Sequence, residues 1–164
     1  MNVCPTLKRL IPTYPFTAVL AAVLLALPGS AASGEASVYD ALKEGKETFL
    51  EKCGKCHTLK YAIDETEYSE DDWYMTMSTM VENGADLNKE QKGLVADYLW
   101  VKTTFQMKCG VCHELARPLS KTKDHEQWKA TVKRMASKRA GHLTDGEIEA
   151  IAAFLALGFP ETKD

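Results

Sequence analysis

No pair of cysteines in this chain is left over for a disulfide framework: four of the five stand in two short motifs, and the fifth, Cys4, lies at the extreme N-terminus. There is no glycine-rich phosphate loop, no Ser/His/Asp arrangement and no nucleic-acid-binding stripe. Nor does any run show a strand pattern, so thioredoxin-like chemistry, which needs a βαβ setting, has no scaffold. A linker is missing too, because residues 89–107 contain no proline and only one glycine, Gly93. What remains is 164 residues, 45% apolar and 26% charged. That composition is that of a soluble globular protein, and the length suits one ordinary domain or two very small ones.

The four motif cysteines lie in Cys53-Gly54-Lys55-Cys56-His57 and Cys109-Gly110-Val111-Cys112-His113, the second copy starting 56 residues after the first (109 − 53). C-x-x-C-H is the pattern of c-type haem attachment. The two thiols form thioethers to the porphyrin, and the neighbouring His57 or His113 offers a neutral ring nitrogen to the iron. Two covalently attached haem c groups are therefore expected.

The N-terminal 32 residues read as an export signal. Lys8 and Arg9 supply a positive start, residues 18–27 are an unbroken apolar run, and small residues from Gly29 to Ser33 offer a cleavage site after Ala32. The run is shorter than the roughly 20 residues a membrane span takes. A periplasmic location is the expectation, with membrane attachment only if the segment stays uncleaved. Residues 34–100 hold 15 acidic and 7 basic side chains, a net of −8, whereas residues 101–164 hold 8 acidic and 11 basic, a net of +3. The mature chain is expected to be an electrostatic dipole.

Beyond the motifs the chain repeats itself, giving an all-α expectation of two tandem units, residues 34–100 and 101–160. Val38, Ala41, Leu42, Gly45, Phe49 and Cys53 fall at helical spacing and predict a helix over 37–52 leading into the first motif. Ser69 with Asp72 and Asn88 with Gln91 predict two further helix starts, and Gly84 the stop between them. In the second unit Asp124 with Gln127 and Thr144 with Glu147 repeat those starts, and Gly141 falls near the turn. The apolar rhythm Leu94, Val95, Tyr98, Leu99, Lys102, Phe105 crosses the junction, so the closing helix of unit one is expected to run on as the leading helix of unit two. At about 1.5 Å per residue it would be roughly 30 Å long.

The sixth iron ligand is the open question. His125 and His142 are not repeated, and each reads by default as a surface or loop histidine. Met80 and Met135 are repeated, each seven residues after a tryptophan in the pattern W-x-x-T-x-x-x-M. A methionine more commonly fills core space. Yet Met80 lies 23 residues beyond His57 and Met135 lies 22 beyond His113 (80 − 57; 135 − 113), nearly one reach. Met80 and Met135 are therefore the expected distal ligands. Met75 and Met77 are rivals in unit one only, expected to pack or to face solvent.

With these residues in view, the sequence resembles the tandem dihaem cytochromes c of the small class-I-like type. The W-x-x-T-x-x-x-M helix is similar to that of short haem domains associated with periplasmic dehydrogenases, including quinohaemoprotein amine dehydrogenases. The resemblance spans residues 37–158. It implies haem attachment at Cys53, Cys56, His57, Cys109, Cys112 and His113, with Met80 and Met135 as distal ligands. One departure is that the small residue where leading and closing helices cross is Gly45 in unit one but Val101 in unit two, so a wider crossing is expected there.

Zinc held by four thiolates would leave both motif histidines and both tryptophan helices unexplained. A small haem enzyme, peroxidase-like or sulfur-oxidising, is the serious rival, and it needs a displaceable sixth ligand. Electron transfer between a redox donor and acceptor is the reading expected here, with no catalytic residue. The chain would act as a monomer or as a dehydrogenase subunit, with neither nucleic acid nor substrate chemistry of its own. Units of about 55 residues are small for an independent core, so the haem-free protein is expected to be largely unfolded.

Overall fold

Residues 37–159 are described by a computed structural model, and the four caps marked in the sequence open four of its helices. The order is α1 (Val38–Thr48), a single π turn (Phe49–Cys53), α2 (Lys60–Asp64), α3 (Glu70–Glu82), α4 (Lys89–Gly110), α5 (Ala116–Leu119), α6 (His125–Ala136) and α7 (Asp145–Leu157). Among the described residues there is no strand. The proposed export segment lies outside them.

Helices α3, α4, α6 and α7 each start with a complete capping box, built on Ser69, Asn88, Asp124 and Thr144. In each, the cap side chain accepts from the third backbone N–H while that residue's side chain accepts from the cap's own N–H, satisfying two donors a helix end leaves orphaned. Gly84 and Gly141 carry positive φ, 97° and 72°, where the chain turns back towards the next helix.

Helix α4 is unbroken over 22 residues. It serves both copies, as the apolar rhythm across 94–105 predicts. It packs against α1, α3 and α7, while α1 also meets α7 and α6 lies along α7. The three helices α1, α4 and α7 thus surround one apolar core, and the two copies share it. No helix of the described residues is long and apolar enough to cross a membrane.

Two details tie the packing to the repeat. A Cβ on Gly45 would stand 2.9 Å from the Leu94 carbonyl carbon and closer still to its oxygen, so glycine is what lets α1 approach the α4 backbone. The aromatic pairs are also duplicated. Phe49 on the π turn meets Tyr98 at 6.0 Å and 39°, and Phe105 on α4 meets Phe154 on α7 at 5.6 Å and 38°. Each member of the second pair lies 56 positions after its counterpart (105 − 49; 154 − 98). Local geometry repeats with the sequence.

Lys102 is placed more deeply than its apolar stem suggests. It is fully buried, and its Nζ donates to the carbonyls of Ala62, Ile63 and Glu65. These are C-terminal carbonyls of α2 and the residue after it, which no helical N–H reaches. Burial pulls the ammonium down to about 8, with Glu65 and Asp64 opposing the shift. Its repeat partner Lys46 does the same for α7, donating to the carbonyls of Leu157 at 2.6 Å and Gly158 at 2.8 Å.

Candidate haem-attachment sites

Each C-x-x-C-H motif sits at the C-terminal end of a leading helix. The first closes the π turn after α1, and the second closes α4. The turns match: the Cys56 N–H donates to the Cys53 carbonyl at 3.4 Å, and the Cys112 N–H to the Cys109 carbonyl at 3.3 Å. The first cysteine of each motif is half-buried against the core and the second is exposed. That staggered exposure puts one thiol at the protein surface and its partner beneath it.

The histidines are oriented alike. His57 Nδ1 lies 2.9 Å from the Thr58 carbonyl, and His113 Nδ1 lies 3.4 Å from the Glu114 carbonyl. A carbonyl can only accept, so Nδ1 is the donor in each contact, which leaves Nε2 as the nitrogen that the neutral ring could offer to an iron. A haem iron takes four ligands from the porphyrin, so the chain has to supply only one or two.

Burial, with a smaller contribution from Cys112, pushes the Cys109 thiol up to about 11, and Cys53 is raised for the same reason. A thiol held in the protonated form is a poor redox nucleophile. Among the described residues no three His, Cys, Asp or Glu side chains gather as a metal cluster. The four thiolates that zinc would require are therefore not brought together.

A lysine stands directly before each first cysteine, and both are tied to the loop that follows the methionine helix. Lys52 pairs with Asp86 at 2.9 Å; Lys108 reaches Glu147 at 3.2 Å and donates to the His142 carbonyl at 3.2 Å. His142 answers through Nε2, which donates to the Lys108 carbonyl at 2.7 Å. The histidine thus closes the C-terminal end of α4, where the helix dipole favours a donor. His125 is engaged elsewhere, its ring tilted by 34° against Tyr39 at 5.2 Å, with Nε2 at 3.2 Å from Glu149, an ion-pair distance without hydrogen-bond alignment.

The methionines divide as their positions dictate. Met77 is 3% exposed and belongs to the core, whereas Met75 is 69% exposed. Met80 is half-buried at the margin of the core, and Met135 is 39% exposed. The face shared with Trp73 and Trp128 is filled by Met77 in α3 and by its counterpart Val132 in α6. Met80 and Met135 continue that face in the last helical turns, at the edge of the packed core rather than inside it. Apolar side chains close to these residues in the chain are exposed: Leu50, Met107 and Val111 near the cysteines, and Val81 next to Met80. Surfaces of this kind fit an apolar macrocycle that covers them.

No protein-family model, curated protein or solved structure matches the chain. The site is read from its own residues.

Spacing alone signals the cysteines, histidines and methionines. It does not signal Lys52 and Lys108, although their identical place before each motif could have marked them.

Proposed function

We propose that this chain is an exported dihaem cytochrome c, carrying electrons in the periplasm between a redox donor and acceptor such as a dehydrogenase and a terminal oxidase or reductase. The observation that carries the reading is the duplication of C-x-x-C-H together with its local geometry, down to a histidine held through Nδ1 in each copy. Bound haem would supply a one-electron ferric/ferrous couple. Cys53, Cys56, Cys109 and Cys112 anchor it, and His57 and His113 present Nε2. Met80 and Met135 would supply thioether ligands, which raise the potential relative to a second histidine.

Lys52 and Lys108 keep each motif in register with the loop after its methionine helix. The exposed cations Lys133 and Arg134 on α6, and Lys138 and Arg139 just after it, flank Met135 in the chain, whereas α3 carries no basic residue in its last turn. An acidic partner fits the second unit and a basic partner the first, with charge setting encounter rate and orientation.

Intact-mass measurement of the exported protein tests the proposal. Two covalent haem increments are expected, with one lost in the Cys53→Ser/Cys56→Ser variant and the other in Cys109→Ser/Cys112→Ser. An exported chain with unmodified cysteines refutes it.

The exposure of Met135 favours one second reading, a small haem enzyme with a displaceable ligand at the second site. Carbon monoxide discriminates. Slow or absent binding to the reduced protein supports the carrier, and rapid binding lost with the second cysteine pair supports the enzyme.

A further inference from the structure

We infer that the four buried rings Phe49, Tyr98, Phe154 and Phe105 are the route by which an electron passes between the two attachment sites. The inference rests on the haem reading and goes beyond it by assigning the path to particular side chains.

The two repeated ring pairs are joined in the middle. Tyr98 on α4 meets Phe154 on α7 at 5.7 Å and 42°, so the series Phe49–Tyr98–Phe154–Phe105 is continuous, with centroid steps of 6.0, 5.7 and 5.6 Å. All lie within the contact range of aromatic pairs. The end rings belong to the attachment turns. Phe49 opens the π turn that Cys53 closes, and Phe105 precedes Cys109 by four residues, one helical turn, on α4. Cys53 and Cys109 both pack against the core that holds the rings. Every ring in the series is 0–1% exposed, so no solvent interrupts it.

The chemistry of Tyr98 decides how the rings act. Its hydroxyl is buried and has no hydrogen-bond partner among the described residues, and burial raises its pKa further. Oxidation of a phenol releases its proton, and nothing beside this hydroxyl can take one. The ring therefore stays closed-shell and neutral, as the three phenylalanines must. With haem bound, one electron would leave the iron at one motif, ferrous becoming ferric, and reach the iron at the other, ferric becoming ferrous. No bond forms or breaks, and no proton moves. The rings serve as a dense, contiguous medium between the two sites.

Core filling alone would need apolar bulk at these positions and nothing more, and that gives the test. Mature holoprotein is partly reduced by photoinjection, and redistribution of the electron between the two sites is followed by absorbance. Tyr98→Leu/Phe154→Leu is expected to slow redistribution on the order of tenfold, because leucines leave gaps where the rings touch. Tyr98→Phe in an otherwise wild-type chain should keep the wild-type rate, and Val95→Ala, a core lesion off the series, should also leave it unchanged. Redox titration of each variant fixes the driving force, and electron paramagnetic resonance of the oxidised protein should show no tyrosyl radical. If the double variant does not fold, Phe154→Leu alone carries the test, with a smaller slowing. An unchanged rate with both haems present overturns the route and leaves the carrier reading standing. A tyrosyl signal abolished by Tyr98→Phe overturns the closed-shell route. A haem count of zero on the same samples overturns the carrier reading, and the route with it.

Discussion

In the first copy the leading helix crosses its closing helix at Gly45, close enough that a Cβ would collide with the Leu94 carbonyl. In the second copy the matching position is Val101, and the position matching Leu94 is Ala150 (94 + 56). Both line one groove of about 380 Å³ beside α1 and α7. The small residue has moved from one helix to the other. The leading helices differ too, since the first ends in a π turn at Phe49–Cys53 and the second remains α to Gly110. One sequence pattern therefore tolerates two helix approaches while returning the same motif turn and the same ring pair. What the copies conserve is the geometry of the C-x-x-C-H turn, and what they vary is the packing that delivers it.

The largest expected break in this comparison is Gly45→Val. The added side chain meets α4 backbone, which cannot step aside, and a loss of about 3 kcal/mol is expected. The reverse change, Val101→Gly, should cost about 2 kcal/mol, from a helix-interior glycine plus lost packing. Denaturant midpoints of the two variants measure the difference; equal losses would contradict the tight crossing at Gly45.

Lys102 gives the next effect, and its sign is fixed by its lowered pKa. Below about pH 8 the ammonium is charged in both folded and unfolded chains, so the folded protein bears the full burial penalty. As pH rises towards the ordinary value of 10.5, the folded chain sheds its proton first and the penalty is relieved. Wild-type stability should therefore rise between pH 8 and 10 relative to Lys102→Met, by about 2 kcal/mol. Parallel pH profiles for the two proteins would contradict a buried ammonium.

The tryptophans offer a smaller test. Trp73 Nε1 donates to Thr103 Oγ1 at 3.0 Å, whereas Trp128 Nε1 is buried with no hydrogen-bond partner in the described residues. Trp73→Phe should cost about 1 kcal/mol more than Trp128→Phe, the net worth of one buried hydrogen bond. Thermal melts of both variants decide it, and a larger loss at Trp128 would point to a partner the haem-bound protein supplies. Least of all, Lys52→Ala and Lys108→Ala should each leave the denaturant midpoint nearly unchanged, since ion pairs open to solvent screening contribute little. Their effect belongs in the near-infrared methionine–iron band, which should shift or weaken if those lysines register the methionine loop.

Much of this was legible in the sequence. The four capping boxes are short-range signals, with partners three residues apart, and all four form. The unbroken α4 follows from a stretch without proline whose apolar rhythm never loses phase. The crossing at Gly45 was readable because only glycine there removes a Cβ. The remainder depended on distance along the chain. Lys102 reaches carbonyls some 40 residues away, and only the folded chain shows that α2 ends where its ammonium lies. The link between Tyr98 and Phe154 arises because α4 serves both copies and so brings α7 against α1. Met80 and Met135 share a helix face with their tryptophans by spacing. Their place at the core's edge depends on where the neighbouring helix stops, which spacing does not encode.

The central claim is that two equivalent one-electron sites are held in one core. Spectroelectrochemical titration of the mature protein tests it most directly. The account predicts an uptake of two electrons per chain, read at haem bands, and a ferric methionine–iron band that loses part of its intensity in Met80→Ala and part in Met135→Ala. Uptake of one electron or none, or a band untouched by both substitutions, would contradict it.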